Sequence, residues 1–410
     1  MPILPQSAYS IQLPEMYPVR QIFDDTAVGN VEQAVSCEMN KSWISEMVKP
    51  GMRVALAVGS RGIADLEKIV RHVGAALLER GAKPFIVPAM GSHGGGEAAG
   101  QRQVLKNLNI TERTVGMPII SGIEVAELGN TSGGVNICID KAAYEADMIV
   151  PIARIKPHTD YKATIESGLC KMLVIGLGNH EGCSRLHQYG FGSFARLIPE
   201  AAQTIIKKAR VGFGVAVVEN AYDKTLLIET IKACEFLQRE PELLDLAYRN
   251  MPSIMIRDID VLLVNLIGKD ISGAGMDPNI IGRTSVGVVE GFTGPKIKRI
   301  IVKGISPASQ GNACGIGIAD YVLRKGYAQI DFPKTYTNCI SSGNPEAGKI
   351  PIIVEYEFEG IVSSLKTSVG VDYDAIKIVE IKSTLELDKV FVSAALLPEV
   401  RLNKKMELLQ

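Results

Sequence analysis

The side chains able to do chemistry are few in this sequence and unevenly placed. Three of its five histidines, His158, His180 and His187, fall in one stretch, 155–190, IKPHTDYKATIESGLCKMLVIGLGNHEGCSRLHQYG. The same stretch carries Lys171 inside the apolar run SGLCKMLVIG. A fourth histidine, His93, sits in the glycine-rich run GSHGGGE, and the fifth, His72, lies in a helical pattern. A lysine beside Met, Leu, Val and Ile loses solvation when ionised. That lowers its pKa and makes the amine a nucleophile or an acyl acceptor. An imidazole serves as a base or as a ligand for zinc, nickel or copper. His158 follows a strand end and a proline, so a constrained backbone holds it outside a sheet.

These residues need elements to position them. RVALAVGS reads as a buried strand that runs into the loop GSRG at 59–62, with Ser60 and Arg61 at its centre. A helix follows, because Ile63, Leu66, Ile69, Val70, Val73, Ala76 and Leu77 recur at three- and four-residue steps before Gly81. KPFIVPAM is the next strand, and GSHGGGEAAGQRQVLKNLN is a loop opening a helix. Strand–loop–helix–strand at this spacing is a βαβ unit and implies a parallel sheet. Ligands of such sheets bind outside the C-terminal strand ends, where Arg61, His93 and His158 all fall.

Residues 1–50 read as irregular, with room for a helix within 22–43. A boundary near Met251–Pro252 divides the chain into domains 1–252 and 253–410. In the second, DIDVLLVNLIG and KRIIVKGIS are strands, and PASQGNACGIGIADYVLRKG reads as a loop opening a helix. The expected fold class is α/β: two domains with mainly parallel sheets and an active-site cleft between them.

Composition removes several functions. The 410 residues are 46% hydrophobic and 22% charged with a net charge of −1, so nothing attracts nucleic acid or an acidic membrane surface. No apolar run reaches the roughly 18 residues of a membrane span. The N-terminal residues lack the pattern of a signal peptide, so a cytoplasmic location is expected. Seven cysteines stand singly without a CxxC, which argues against a disulfide framework, a zinc ribbon or an iron–sulfur cluster.

Three chemistries remain. Zinc hydrolysis would use His93, His158 and His187 with Glu97 or Glu181 as base, but no HExxH occurs. Schiff-base chemistry would use Lys171 and leave the histidines without a role. Two-base racemisation, with one histidine on each face of a substrate carbon and a hydride or proton acceptor between them, gives each rare residue a task.

The motifs SRG (60–62), GSHGGG (91–96) and KPHTDYKATIESGLCKML (156–173), with His187, resemble the nickel-dependent lactate racemase family. GKDISGAGMDPN (268–279) and SQGNACGIGIADY (309–321) resemble homologues in that family rather than the lactate enzyme itself. The resemblance implies a racemase or epimerase acting on a 2-hydroxy acid by reversible hydride transfer. It implies a nickel-pincer nucleotide, a pyridinium mononucleotide with two sulfur arms, one of them joined to a lysine, and hence cofactor-maturation enzymes as partners. By motif position Lys171 would be the tethering lysine, His187 the nickel ligand, and His93 and His158 the paired acid/base histidines. His180 stands close enough in sequence to be an alternative ligand. Arg61 would bind the substrate carboxylate or the cofactor, with Ser60, Ser167 and Gly168 against the nucleotide and Gln310 and Asn312 touching substrate. The alternatives are a non-racemase binding or redox protein of the same fold, or a zinc-dependent hydrolase.

Overall fold

The computed structural model describes residues 4, 6–287 and 290–409. In chain order its strands begin with β1 (Met16–Gln21), β2 (Arg53–Val58), β3 (Lys83–Pro88), β4 (Val125–Asn130) and β5 (Asn136–Asp140). β6 (Met148–Arg154), β7 (Phe213–Glu219), β8 (Thr225–Lys232), β9 (Asp258–Val264) and β10 (Lys296–Val302) follow. The last are β11 (Tyr321–Leu323), β12 (Ile352–Val354), β13 (Ile378–Ile381), β14 (Lys389–Ser393) and β15 (Met406–Leu408). They divide between two units. One is Asp24–Met251; the other is Pro252–Gln410 together with the chain up to Phe23.

The Asp24–Met251 unit holds a five-stranded sheet in the order β3-β2-β6-β7-β8, parallel except for β8. β2, β6 and β7 are buried along nearly their whole length, as strands of a parallel sheet covered on both faces are. The helix Leu66–Glu79 supplies one cover. Its stripe of Leu66, Ile69, Val70, Val73 and Leu77 is buried in one cluster with Val54, Leu56 and Val58 of β2. β4 and β5 form a separate antiparallel pair.

The other unit holds an eight-stranded sheet in the order β12-β11-β10-β9-β13-β14-β1-β15. The strands from β12 to β13 run parallel, while β14, β1 and β15 are antiparallel to their neighbours. Two expectations are corrected here. Residues 1–50 are not all irregular, and their first strand does not join the unit that follows it. β1 lies between β14 and β15, and buried Gln21 fixes it there. The Gln21 amide donates to the carbonyls of Leu387 (2.6 Å) and Ser253 (3.0 Å) and accepts from Met255 N–H at 2.7 Å. Sequence patterning misses it because MYPVRQ contains a proline and alternates weakly. The second correction concerns PASQGNACGIGIADYVLRKG. Its YVL is β11, the segments Pro307–Ser309 and Ile316–Ile318 are single 3-10 turns, and the α-helix that follows β11, Arg324–Tyr327, is four residues long. Tyr321, β-branched Val322 and Leu323, all buried, fit between β10 and β12.

Candidate active site

β3, β2 and β6 are adjacent and parallel, so the loops after them open at one sheet edge. The loop after β2 carries Ser60 and Arg61, that after β3 carries His93, and that after β6 carries His158. Lys171 ends the short helix Leu169–Lys171, and a π-helix, Met172–Gly176, continues it. Such wide turns are rare and concentrate at functional sites. This one is seated on the strand ends: a Cβ on Gly59 would lie 2.9 Å from Met172 Cε, and one on Gly176 would lie 2.7 Å from the Ala89 carbonyl.

His158 is buried on a tightly clamped loop. Its backbone N–H donates to Glu166 Oε2 at 2.5 Å, and the Ala163 N–H donates to Glu166 Oε1 at 3.1 Å. Glu166 also accepts from Tyr248 OH at 3.0 Å and from Lys162 at 3.4 Å, and Lys162 meets Tyr248 in turn. The backbone N–H of Asp160 donates to His158 Nδ1 at 3.0 Å. Nδ1 therefore holds a lone pair, and a neutral ring carries its proton on Nε2. Burial, reinforced by the charges of Lys171, Lys156 and Lys162, holds the imidazole well below its usual pKa.

His158 Nε2 is in direct hydrogen-bond contact with Lys171 Nζ. With the proton on Nε2, the lysine is the acceptor, and only a neutral amine can accept. The electrostatics agree. Burial lowers Lys171 to about 8, with Asp160 opposing and Arg61 adding to the fall. In its neutral form this partly buried lysine directs its nitrogen lone pair at an imidazole N–H.

The turn bearing Lys171 has its own support. Glu240, fully buried on the helix Phe236–Asn250, accepts from the Cys170 N–H at 3.0 Å. Burial pushes its carboxyl up to about 7, against the pull of that N–H. Gly168 leaves room for this carboxylate: a Cβ there would lie 2.3 Å from Glu240 Oε1 and 2.6 Å from Ile155 Cδ1. Gly168→Ala is therefore expected to lower stability by about 1–3 kcal/mol through overpacking, measured as a shift of the denaturant midpoint. Ser167 is tied to Lys156 by two backbone hydrogen bonds of 3.0 and 3.2 Å.

His187 closes the helix Asn179–His187. Its Nδ1–H donates to the Cys183 carbonyl at 2.7 Å and lies 3.5 Å from Cys183 Sγ, which leaves the lone pair on Nε2. Burial opposes protonation of this ring, but Cys183 outweighs burial and raises its pKa; the thiol is lowered in turn by His187 and Ser92, also against burial. Phe191 packs on both histidines, 5.5 Å from His187 and 6.2 Å from His158 between ring centroids. His180 lies two turns earlier on the same helix, is exposed, and packs against Gly96 of the His93 loop. That loop also meets the helix through Gly91, whose Cβ would sit 3.2 Å from Cys183 Sγ. His93 is exposed, with Nδ1 2.9 Å from the Met90 carbonyl.

Arg61 is solvent-exposed, yet it shares a charge environment with Arg154, Asp160 and Lys171. Arg154 is itself paired with Glu219, whose other oxygen accepts from Ala64 N–H at 2.6 Å and so fixes the Arg61 loop. Gln310 and Asn312 belong to the other unit. Gln310 is exposed in a left-handed turn after Pro307–Ser309, and the Asn312 side chain accepts from Cys314 N–H at 3.1 Å. Among the described residues, no three His, Cys, Asp or Glu side chains are grouped to hold a metal ion. His93, His158 and His187 are therefore not grouped as a zinc triad.

Glu166, Glu240, Cys183 and Asp160 escaped the sequence reading. For Glu240 a signal existed, since it lies on the apolar stripe of Phe236, Leu243, Leu244 and Ala247. An acid on a buried helical face needs a polar partner.

Residues 8–195 match the model of the lactate racemase N-terminal domain. Two solved structures share the fold. The lactate racemase apoprotein from Thermoanaerobacterium thermosaccharolyticum is 15% identical with a TM-score of 0.50, over 69% of this chain and 69% of that one. A Thermotoga maritima protein is also 15% identical with a TM-score of 0.52, over 85% of this chain and 93% of its own. No curated protein matches the sequence. The loops that carry Arg61, His93, His158, Lys171 and His187 all fall within residues 8–195, the part of the chain that is similar to the lactate racemase N-terminal domain.

Proposed function

We propose that this protein racemises or epimerises a 2-hydroxy acid by reversible hydride transfer, with a nickel-pincer nucleotide attached to Lys171. The observation that carries the reading is the contact between Lys171 Nζ, an amine whose pKa burial lowers to about 8, and His158 Nε2. An acylated lysine must first be a nucleophile, and this one is held as such. The rest of the donor set fits the group. His187 offers one Nε2 lone pair from a ring fixed by the Cys183 carbonyl, and a sulfur-rich planar nickel needs only one imidazole. Arg61 and Lys156 supply positive charge for a phosphate or a carboxylate, Arg61 with a planar fork. Ser60 and the Ser167 hydroxyl would border the nucleotide, with Gly168 beside them.

The nucleotide, when bound, supplies a hydride acceptor that no side chain can replace. The chain's own work is to bind, orient and move protons. His158 and His93 would exchange the hydroxyl proton of the substrate on opposite faces, and the low basicity of His158 keeps it unprotonated at neutral pH. Gln310 and Asn312 would contact substrate. Maturation enzymes are the implied partners, and no helix among the described residues is long and apolar enough to cross a membrane.

Production with and without cofactor-maturation enzymes tests the reading. Intact mass should rise only in their presence, with the adduct mapped to Lys171 and about one nickel per chain. His187→Ala should keep the adduct but lose nickel. Racemisation run in deuterated solvent should leave little deuterium at Cα, because the hydride returns. Turnover of a 2-hydroxy acid by an unmodified chain would sink the proposal. So would nickel retained at full stoichiometry by the His187 variant.

A further inference from the structure

The same Lys171 has a reactivity of its own before any cofactor is attached. We infer that in the unloaded chain Lys171 captures 2-oxo acids as imines, with His158 moving the protons and Arg61 and Lys156 attracting the carboxylate. The inference uses the Lys171 surroundings alone and does not depend on the nickel reading.

Four features support it. The nitrogen lone pair is available, because His158 Nδ1 is occupied by the Asp160 N–H and Nε2 is the ring's donor. The lysine is partly exposed, so a small molecule reaches it. The charged and titratable groups that face it are Asp160, Arg61, Cys183, Lys156 and His187, together with His158 in contact. Two of these are cations, and Arg61 is exposed, so a carboxylate beside the reacting carbonyl has a partner. Finally, burial holds the amine near 8, so a substantial neutral fraction exists at physiological pH.

The step balances without any other reactant. The nitrogen lone pair forms a bond to the carbonyl carbon while the C=O π pair moves to oxygen. His158 Nε2–H passes its proton to that oxygen and recovers one from the nitrogen. The second N–H proton follows, water leaves, and a C=N bond remains. Nothing is oxidised or reduced. The product is a reversible imine at the position where acylation would otherwise occur, so a 2-oxo acid competes with tethering.

The test uses the full chain produced without maturation enzymes, incubated with pyruvate and cyanoborohydride at pH 7 and mapped by peptide mass. Lys171 should be labelled about tenfold faster than the mean of the other lysines, since a lowered pKa raises the neutral fraction more than it weakens the amine. Its rate should level off above pH 8, while surface lysines continue to gain. Methyl pyruvate, with the charge removed, should lose most of the preference for Lys171 over the other lysines. Lys171→Met, checked for folding by its melting transition, should leave only the surface background. Labelling of Lys171 no faster than surface lysines overturns the inference. An undiminished preference for the ester overturns recruitment by Arg61 and Lys156. Neither outcome bears on whether maturation enzymes load nickel, so the two readings fail separately.

Discussion

Lys171→Met should make the protein more stable and abolish its chemistry. The folded state holds the lysine near 8 instead of 10.5, chiefly by burial. The sign follows from linkage. Between about pH 8 and 10.5 the unfolded chain binds the proton and the folded chain does not, so wild-type stability rises with pH across this window. Below it the folded state bears the full penalty of a disfavoured ammonium, about 3 kcal/mol for a shift of this size. Methionine has a similar reach and no charge. The variant should therefore gain up to about 3 kcal/mol at pH 7 and lose the extra slope between pH 8 and 10.5, measured by denaturant unfolding across pH. It should also take up no adduct and lose turnover by more than the roughly 10²- to 10⁴-fold typical of a missing acid or base. A variant less stable than wild type at pH 7 would show that Lys171 is not held under penalty. Functional sites commonly keep such groups at the expense of stability.

Glu166→Ala should have the opposite effect on stability. Its buried carboxylate collects the His158 and Ala163 N–H groups, the Tyr248 hydroxyl and the Lys162 ammonium. Removing it takes an acceptor from the buried His158 N–H, from the half-buried Ala163 N–H and from the Lys162 ammonium. Breaking a buried ion pair in this way costs about 3–5 kcal/mol. Glu166→Gln keeps the volume but turns one acceptor into a donor facing other donors, so it should recover only part of that loss. The activity readout separates positioning from folding. At a temperature where the Gln variant is fully folded, kcat should still fall, because the loop that aims His158 Nε2 has lost its clamp. A change of under about 1 kcal/mol for alanine would mean the loop is held by other contacts.

Much of the site was legible because its residues are close in sequence and unusual in type. The Arg61 and His93 loops follow buried strands with clear periodicity, and His158, Lys171 and His187 fall within one stretch. Their convergence at one sheet edge follows from β3, β2 and β6 being parallel neighbours. What holds them was less legible, for two reasons. Glu240 supports the Lys171 turn from 70 residues away, a contact that no local pattern encodes. Glu166 stood in plain view but among several acids, and only the folded loop tells which one is buried. The lowered pKa of Lys171 was anticipated from its apolar neighbours. The tautomer of His158 that makes it an acceptor depends on a single backbone N–H from Asp160. β1 was misplaced for a related reason: its partners are strands near the other end of the chain.

The position of β1 governs the order in which the protein can be built. β1 leaves the ribosome well before its neighbours β14 and β15. Everything from Asp24 to Met251 emerges and can collapse before β1 has anything to pair with. During that interval the strand has unmet backbone hydrogen bonds and an apolar side in need of shelter. Its closure spans nearly the whole chain, a contact of the slowest kind to form. The unit that holds Lys171 can thus form before the strands that pair with β1 have been made.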